Sequence, residues 1–282
     1  PPTVEKNGKE QPATIEYRSK WGWNFPENTV LVKSFGLELK EGDPSSRRWI
    51  ETRFLTKQQG EWVGYSYAWN EDQTDGVLVE HAGRDAKFSI QTKDGGNRSQ
   101  AWHYPSRTEC MVCHSRAANF VLGLSTAQMN KVHDYGQTEA NQLEVLEKLG
   151  LLKVKKKADE KLPKLANPYD ETAELDARAR SYLHTNCAAC HVKAGGGNAQ
   201  MELDYTAARE KMNVLDVKPL HHQFNIKDAR LIAPGDPDRS VLLHRVSIRD
   251  RGQMPQLATA RVDEPAITML RKWILTLRKE EE

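Results

Sequence analysis

Nothing in this 282-residue chain approaches the roughly 18 consecutive apolar residues that a membrane-crossing helix needs. A dominant sign of charge is missing too. Basic side chains number 41 and acidic ones 39, a formal net charge of +2, so the strong basic field that nucleic-acid binding requires is excluded. The opening Pro1-Pro2-Thr3-Val4-Glu5-Lys6 has no export-signal pattern and reads as a linker or a trimmed end. Cysteine is scarce, four residues in all, and its grouping directs the reading.

The four fall in two runs, Cys110-Met111-Val112-Cys113-His114 and Cys187-Ala188-Ala189-Cys190-His191. C-x-x-C-H is the attachment pattern of a c-type haem. Two thiols that add across the vinyl groups of one porphyrin edge must lie about one helical turn apart. The next residue then lies under the iron, where a neutral imidazole is the proximal ligand. Disulfides do not account for a histidine after each pair. A zinc held by four thiolates does not need one either, and the pairs stand about seventy residues apart, beyond ribbon-like spacing. A thioredoxin-type redox pair does not come twice with a trailing histidine. The expectation is two covalently bound haem c groups on Cys110, Cys113, Cys187 and Cys190, with His114 and His191 on the irons.

The second site has a readable sixth ligand. Gln253-Met254-Pro255-Gln256-Leu257 stands downstream of His191, ahead of Asp263-Glu264-Pro265 and a helical pattern. A thioether opposite histidine is a common ligand pair in electron-transfer cytochromes and raises the potential. Met254 is the expected iron ligand, set against the alternatives of a core-filling methionine and of His244. For the first site Met129, His133, His81, His103, His221, His222 and an open position all stand as alternatives.

Composition shifts near residue 110. Six of the seven tryptophans, Trp21, Trp23, Trp49, Trp62, Trp69 and Trp102, precede it. Strand-like runs cover 29–35, 49–55, 61–69, 76–80 and 87–91, separated by Gly42-Asp43-Pro44, Gln58-Gln59-Gly60 and Asp94-Gly95-Gly96. Helical spacing covers 171–186 and 138–149, and a closing helix starts at an Asp263 cap with Ile267, Leu270, Ile274 and Leu277 on one face. A further short helix begins at Asp236-Pro237. Lys153 to Lys164 reads as a solvated basic linker.

These features predict an α+β chain. A linker opens it at 1–20, and a β-rich antiparallel domain with the first haem follows over 21–152. A basic linker at 153–166 leads to an all-α domain with the second haem over 167–282. On its haem run, methionine loop and terminal helix, that last part resembles a small class I cytochrome c.

Further motifs carry a wider likeness. They are Phe25-Pro26-Glu27-Asn28-Thr29-Val30-Leu31-Val32-Lys33, Glu51-Thr52-Arg53, Gly64-Tyr65-Ser66-Tyr67 with Trp69-Asn70, and Ala233-Pro234-Gly235-Asp236-Pro237-Asp238-Arg239-Ser240. On them the chain resembles di-haem c-type cytochrome modules of large exported bacterial proteins, notably planctomycete ones. The likeness implies a periplasmic or exported module that takes electrons from an attached dehydrogenase domain or a redox partner protein and passes them on. The front half alone is also similar to hydroxylamine-oxidising cytochromes, without a motif that would mark Lys33 as a cross-link. Electron transfer is therefore the leading expectation. The alternative is a haem enzyme acting on peroxide, hydroxylamine or a nitrogen oxide at an open first haem. A third reading is a polysaccharide-binding aromatic sheet serving an attached enzyme.

Overall fold

The computed structural model describes residues 1–6, 8–157 and 159–277. Asn7 in the expected opening linker, Ala158 in the expected basic linker, and 278–282 at the end of the expected second-haem domain lie outside the described residues. The chain divides into two compact units. One comprises Pro1–Glu16, Asn24–Cys113 and Gly150–Lys153; the other comprises Tyr17–Trp23, His114–Leu149 and the chain from Val154.

In the first unit, β1 (Thr3–Lys6) and β2 (Lys9–Pro12) form a hairpin within the opening stretch. Apolar and β-branched alternation then builds β3 (Val30–Glu38), β4 (Arg47–Gln58), β5 (Glu61–Trp69) and β6 (Gly76–Leu78), an antiparallel sheet in the order β3-β4-β5-β6. β5 shows the alternation plainly: Trp62, Gly64, Ser66 and Ala68 are buried, and the residues between them are not. A second hairpin joins β7 (Arg84–Gln91) to β8 (Asn97–Tyr104). Ile50, Ala68, Val79 and Tyr104 form a small core between these sheets, with Phe88 and Trp102 packed on it. The helix α1 (Arg107–Cys113) follows β8. Three of the tryptophans here serve the sheet, Trp62 packing edge-on against Phe25 and Trp69 and Trp102 donating to Thr52 and Glu51, whereas Trp49 is exposed.

The second unit contains α2 (Thr126–Met129), a small pair of strands β9 (Val132–Asp134) and β10 (Glu139–Asn141), and α3 (Gln142–Lys148). The helix expected over 138–149 is shorter because 139–141 pairs as a strand. The Asn141 side chain then caps the Leu143 amide. The longer helices are α4 (Leu175–Cys187) and α6 (Glu264–Thr276), with the short α5 (Val241–Val246) between them. α6 starts where its cap predicts, Asp263 accepting from the Ala266 amide. Ala179, Leu183, Leu243, Leu270, Trp273 and Ile274 are among the core residues that join the three helices.

The expected fold class needs correction. Among the described residues the chain is β-rich, with four small sheets and six short α-helices, none longer than 13 residues. The part after residue 167 is not an all-α cytochrome c domain. Between α4 and α5 the described chain has only single 3-10 turns, at Arg209–Lys211 and Pro237–Arg239. Asn213, Asp216, Phe224, Asn225 and Asp228 there have φ between +48° and +58°, outside helical space. Isolated bridges such as Leu215 to Ile232 hold the segment instead.

Candidate functional site

The second C-x-x-C-H run continues α4 by one turn. The Cys187 carbonyl accepts from both the Cys190 amide (3.1 Å) and the His191 amide (2.9 Å), so the two cysteines lie about one turn apart. The chain then leaves through Gly195-Gly196-Gly197, and Gly197 returns its amide to the Cys190 carbonyl. A side chain at Gly197 would place its Cβ 2.5 Å from His191 Nδ1. His191 is buried, and its Nδ1 faces the Ala199 carbonyl at 3.4 Å. A carbonyl at Nδ1 favours the proton there and leaves the Nε2 lone pair as the metal-binding atom. Burial lowers the His191 pKa below the ordinary histidine value, opposed by the Ala199 carbonyl and assisted by the Arg245 charge, and so favours the neutral ring a ligand must be.

The first run begins in the first unit, on α1. Ser106 and Glu109 cap that helix reciprocally: the Glu109 amide donates to Ser106 Oγ at 3.1 Å, and the Ser106 amide donates to Glu109 Oε2 at 2.8 Å. Cys110 and Cys113 stand three residues apart on it. Cys110 packs on β5 where Gly64 has no side chain; a Cβ there would lie 2.9 Å from the sulfur.

His114, in the second unit, turns Nδ1 onto the Phe120 carbonyl at 2.7 Å. Asn119 and Phe120 adopt φ of 51° and 61°, which turns this loop back toward the histidine. Asn119 anchors the loop by donating to the carbonyls of Gly22 and Trp23. Both histidines thus carry the same orienting device, a carbonyl at Nδ1. The sequence gives no sign of which carbonyl serves, since Phe120 and Ala199 are ordinary residues brought back by loops.

Desolvation pushes the Cys187 thiol up to about 12 and also raises Cys190 and Cys110, opposite in direction to the lowered values of redox-active cysteines. None of the four is in a disulfide. Among the described residues no three His, Cys, Asp or Glu side chains converge as a metal-ion site. Cysteine pairs at helical spacing, each followed by a histidine whose Nδ1 faces a backbone carbonyl, are the residue set that covalent haem with a proximal imidazole would need.

Met254 is half-buried and stands apart from the buried core methionines Met201, Met212 and Met269. Its amide donates to the Arg245 carbonyl at 3.0 Å, and the peptide to Pro255 is cis. Gln253 Nε2 lies 3.2 Å from the Pro255 and Thr259 carbonyls, bracketing the methionine on its own loop. Arg249 Nε closes the base of the loop on the Arg261 carbonyl. Arg245 thus relates to both expected ligands: its carbonyl holds the Met254 amide, and its charge reaches His191.

The other candidates separate. Both ring nitrogens of His103 are engaged, Nδ1 by Asp85 at 2.6 Å and Nε2 by Glu109 at 3.0 Å, so neither is available to an iron. His133 is exposed and packs edge-on to Tyr135; His81, His221 and His222 are exposed as well. His244 and His222 flank the Phe224 ring. Met129 ends α2 half-buried. His184, which the sequence reading passed over, accepts the Tyr205 amide at Nδ1 (3.1 Å), the reverse polarity to a ligand histidine.

No family model matches the chain, and no curated protein and no solved structure matches it. No described helix is long and apolar enough to cross a membrane.

Proposed function

We propose that this chain is a di-haem c-type cytochrome of the exported bacterial module type, which relays electrons between a redox partner protein or attached dehydrogenase domain and a downstream acceptor in the periplasm or outside the cell. The observation that carries the reading is the paired device: two C-x-x-C-H runs, each with cysteines one turn apart and a histidine whose Nδ1 faces a backbone carbonyl. Cys110 and Cys113 would hold one haem c, and Cys187 and Cys190 the other. His114 and His191 would offer Nε2 to the irons, and Met254 would offer its sulfur to the iron that His191 holds. When bound, each haem takes up and releases one electron at its iron. The protein's own part is to orient the imidazoles, hold the Met254 loop and exclude water from His191.

The test is the intact mass of protein produced with a haem-attachment system, followed by dithionite reduction with and without carbon monoxide. The expected mass is that of the chain plus two haems, and a mass equal to the bare chain would sink the reading. An unchanged spectrum under carbon monoxide marks two six-coordinate irons and electron transfer alone. A shift at one haem marks an open first site, and assays with peroxide and hydroxylamine follow.

A further inference from the structure

Resting on the reading of Met254 as an iron ligand, we infer that Arg245 is the positioning residue of the Met254 sulfur, locking the methionine loop to the helix that precedes it. Arg245 lies in the last turn of α5 and grips the loop twice. Its backbone carbonyl accepts the Met254 amide at 3.0 Å, and its guanidinium Nη1 donates to the Gly252 carbonyl at 2.9 Å, two residues earlier. Two bonds from one residue to alternate positions fix both the height and the direction of the intervening strand of loop.

The guanidinium is itself fixed. It stacks 4.8 Å over the centroid of Phe224, a residue held at φ 52°. The same ring fills the space at Gly252, where φ is 100° and a Cβ would lie 2.7 Å from Phe224 Cε1. Phe224, Arg245 and Gly252 therefore form one layered contact, and the loop cannot lift at Gly252 without breaking the guanidinium bond. Gln253 braces the loop from within, and Arg249 ties its base to α5 by donating to the Arg261 and Val246 carbonyls, but neither bonds Gly252 or Met254 to that helix.

The test uses the ferric holoprotein and imidazole, which competes with Met254 for the iron, followed at the methionine-to-ferric-iron charge-transfer band. Arg245→Leu removes the guanidinium bond but keeps the backbone carbonyl, so imidazole is expected to bind roughly tenfold tighter, as for loss of a charge-assisted hydrogen bond. Hydrogen exchange of the Met254 amide should accelerate by a similar factor, a readout independent of the iron. Phe224→Ala, which removes the platform and leaves Arg245 in place, should move both readouts in the same direction. If both variants stay within about twofold of the wild type in both measurements, the role of Arg245 is overturned. Met254→Ala separates that failure from failure of the parent reading: the band should vanish, and a band that persists overturns methionine ligation and the inference with it.

Discussion

A methyl group added at Gly197 would come within 2.5 Å of His191 Nδ1 and 2.6 Å of Cε1, so this glycine sets the space in which the imidazole sits. Gly197→Ala should displace the ring from the Ala199 carbonyl and destabilise the protein by about 1–3 kcal/mol, the usual cost of overpacking a filled site. Chemical denaturation checks this, and an unchanged midpoint would show that the loop yields freely. The need for small residues after His191 is readable in Gly195-Gly196-Gly197. Their target is not, because a carbonyl eight residues on becomes a partner only when the loop closes. Glu51 teaches the same lesson. Its carboxylate is fully buried and accepts from Arg53 Nε (2.6 Å) and Nη2 (2.9 Å), Ser66 Oγ (2.7 Å) and Trp102 Nε1 (3.0 Å). Glu51-Thr52-Arg53 is conspicuous as a motif, but its purpose depends on Ser66 and Trp102 arriving from β5 and β8. Glu51→Ala leaves the Arg53 charge without its partner and should cost about 3–5 kcal/mol in thermal or chemical unfolding.

Helix α1, which presents Cys110 and Cys113, depends on how it begins. The Ser106/Glu109 box is legible as S-x-x-E, and Ser106→Ala should lower stability by about 1 kcal/mol. Its pH behaviour follows from what Glu109 touches. The hydrogen bond from His103, helped by the Ser106 amide, holds Glu109 down at about 2 against an ordinary 4.5. The stability from this group is therefore complete above 4.5 and is lost as pH falls through about 2. His103 is raised above its ordinary 6.5, first by Asp85 and then by Glu109, against the opposing effect of burial. Its contribution is complete below 6.5 and disappears as pH rises through the raised value. Both act fully between 4.5 and 6.5. The melting-temperature gap between wild type and His103→Ala should be widest in that window and shrink on either side. A gap that does not vary with pH would show that the network contributes nothing by charge.

For the whole molecule, the proposed cofactor content sets an electron count. Reductive titration of the holoprotein should consume about two electrons per chain, one for each iron. The double variant Cys187→Ala/Cys190→Ala should take up about half as many and lose one haem from its intact mass. Uptake unchanged in that variant would place the second redox centre elsewhere. Local spacing was enough to pick out the two C-x-x-C-H runs, strands near 29–35, 49–55 and 61–69, and the Asp263 cap, because each rests on residues within a turn or a pleat of one another. Packing between distant residues settled the rest. The segment from Ala188 to Ser240, expected within an all-α domain, stays largely irregular because left-handed residues and a glycine triplet deny it a helical path, and its polar backbone finds remote partners instead. The carbonyls that orient His114 and His191, the four donors around Glu51 and the grip of Arg245 on the Met254 loop arise in the same way. Hydrogen bonds and stacking act through space, and the folded chain alone determines which residues come within their reach.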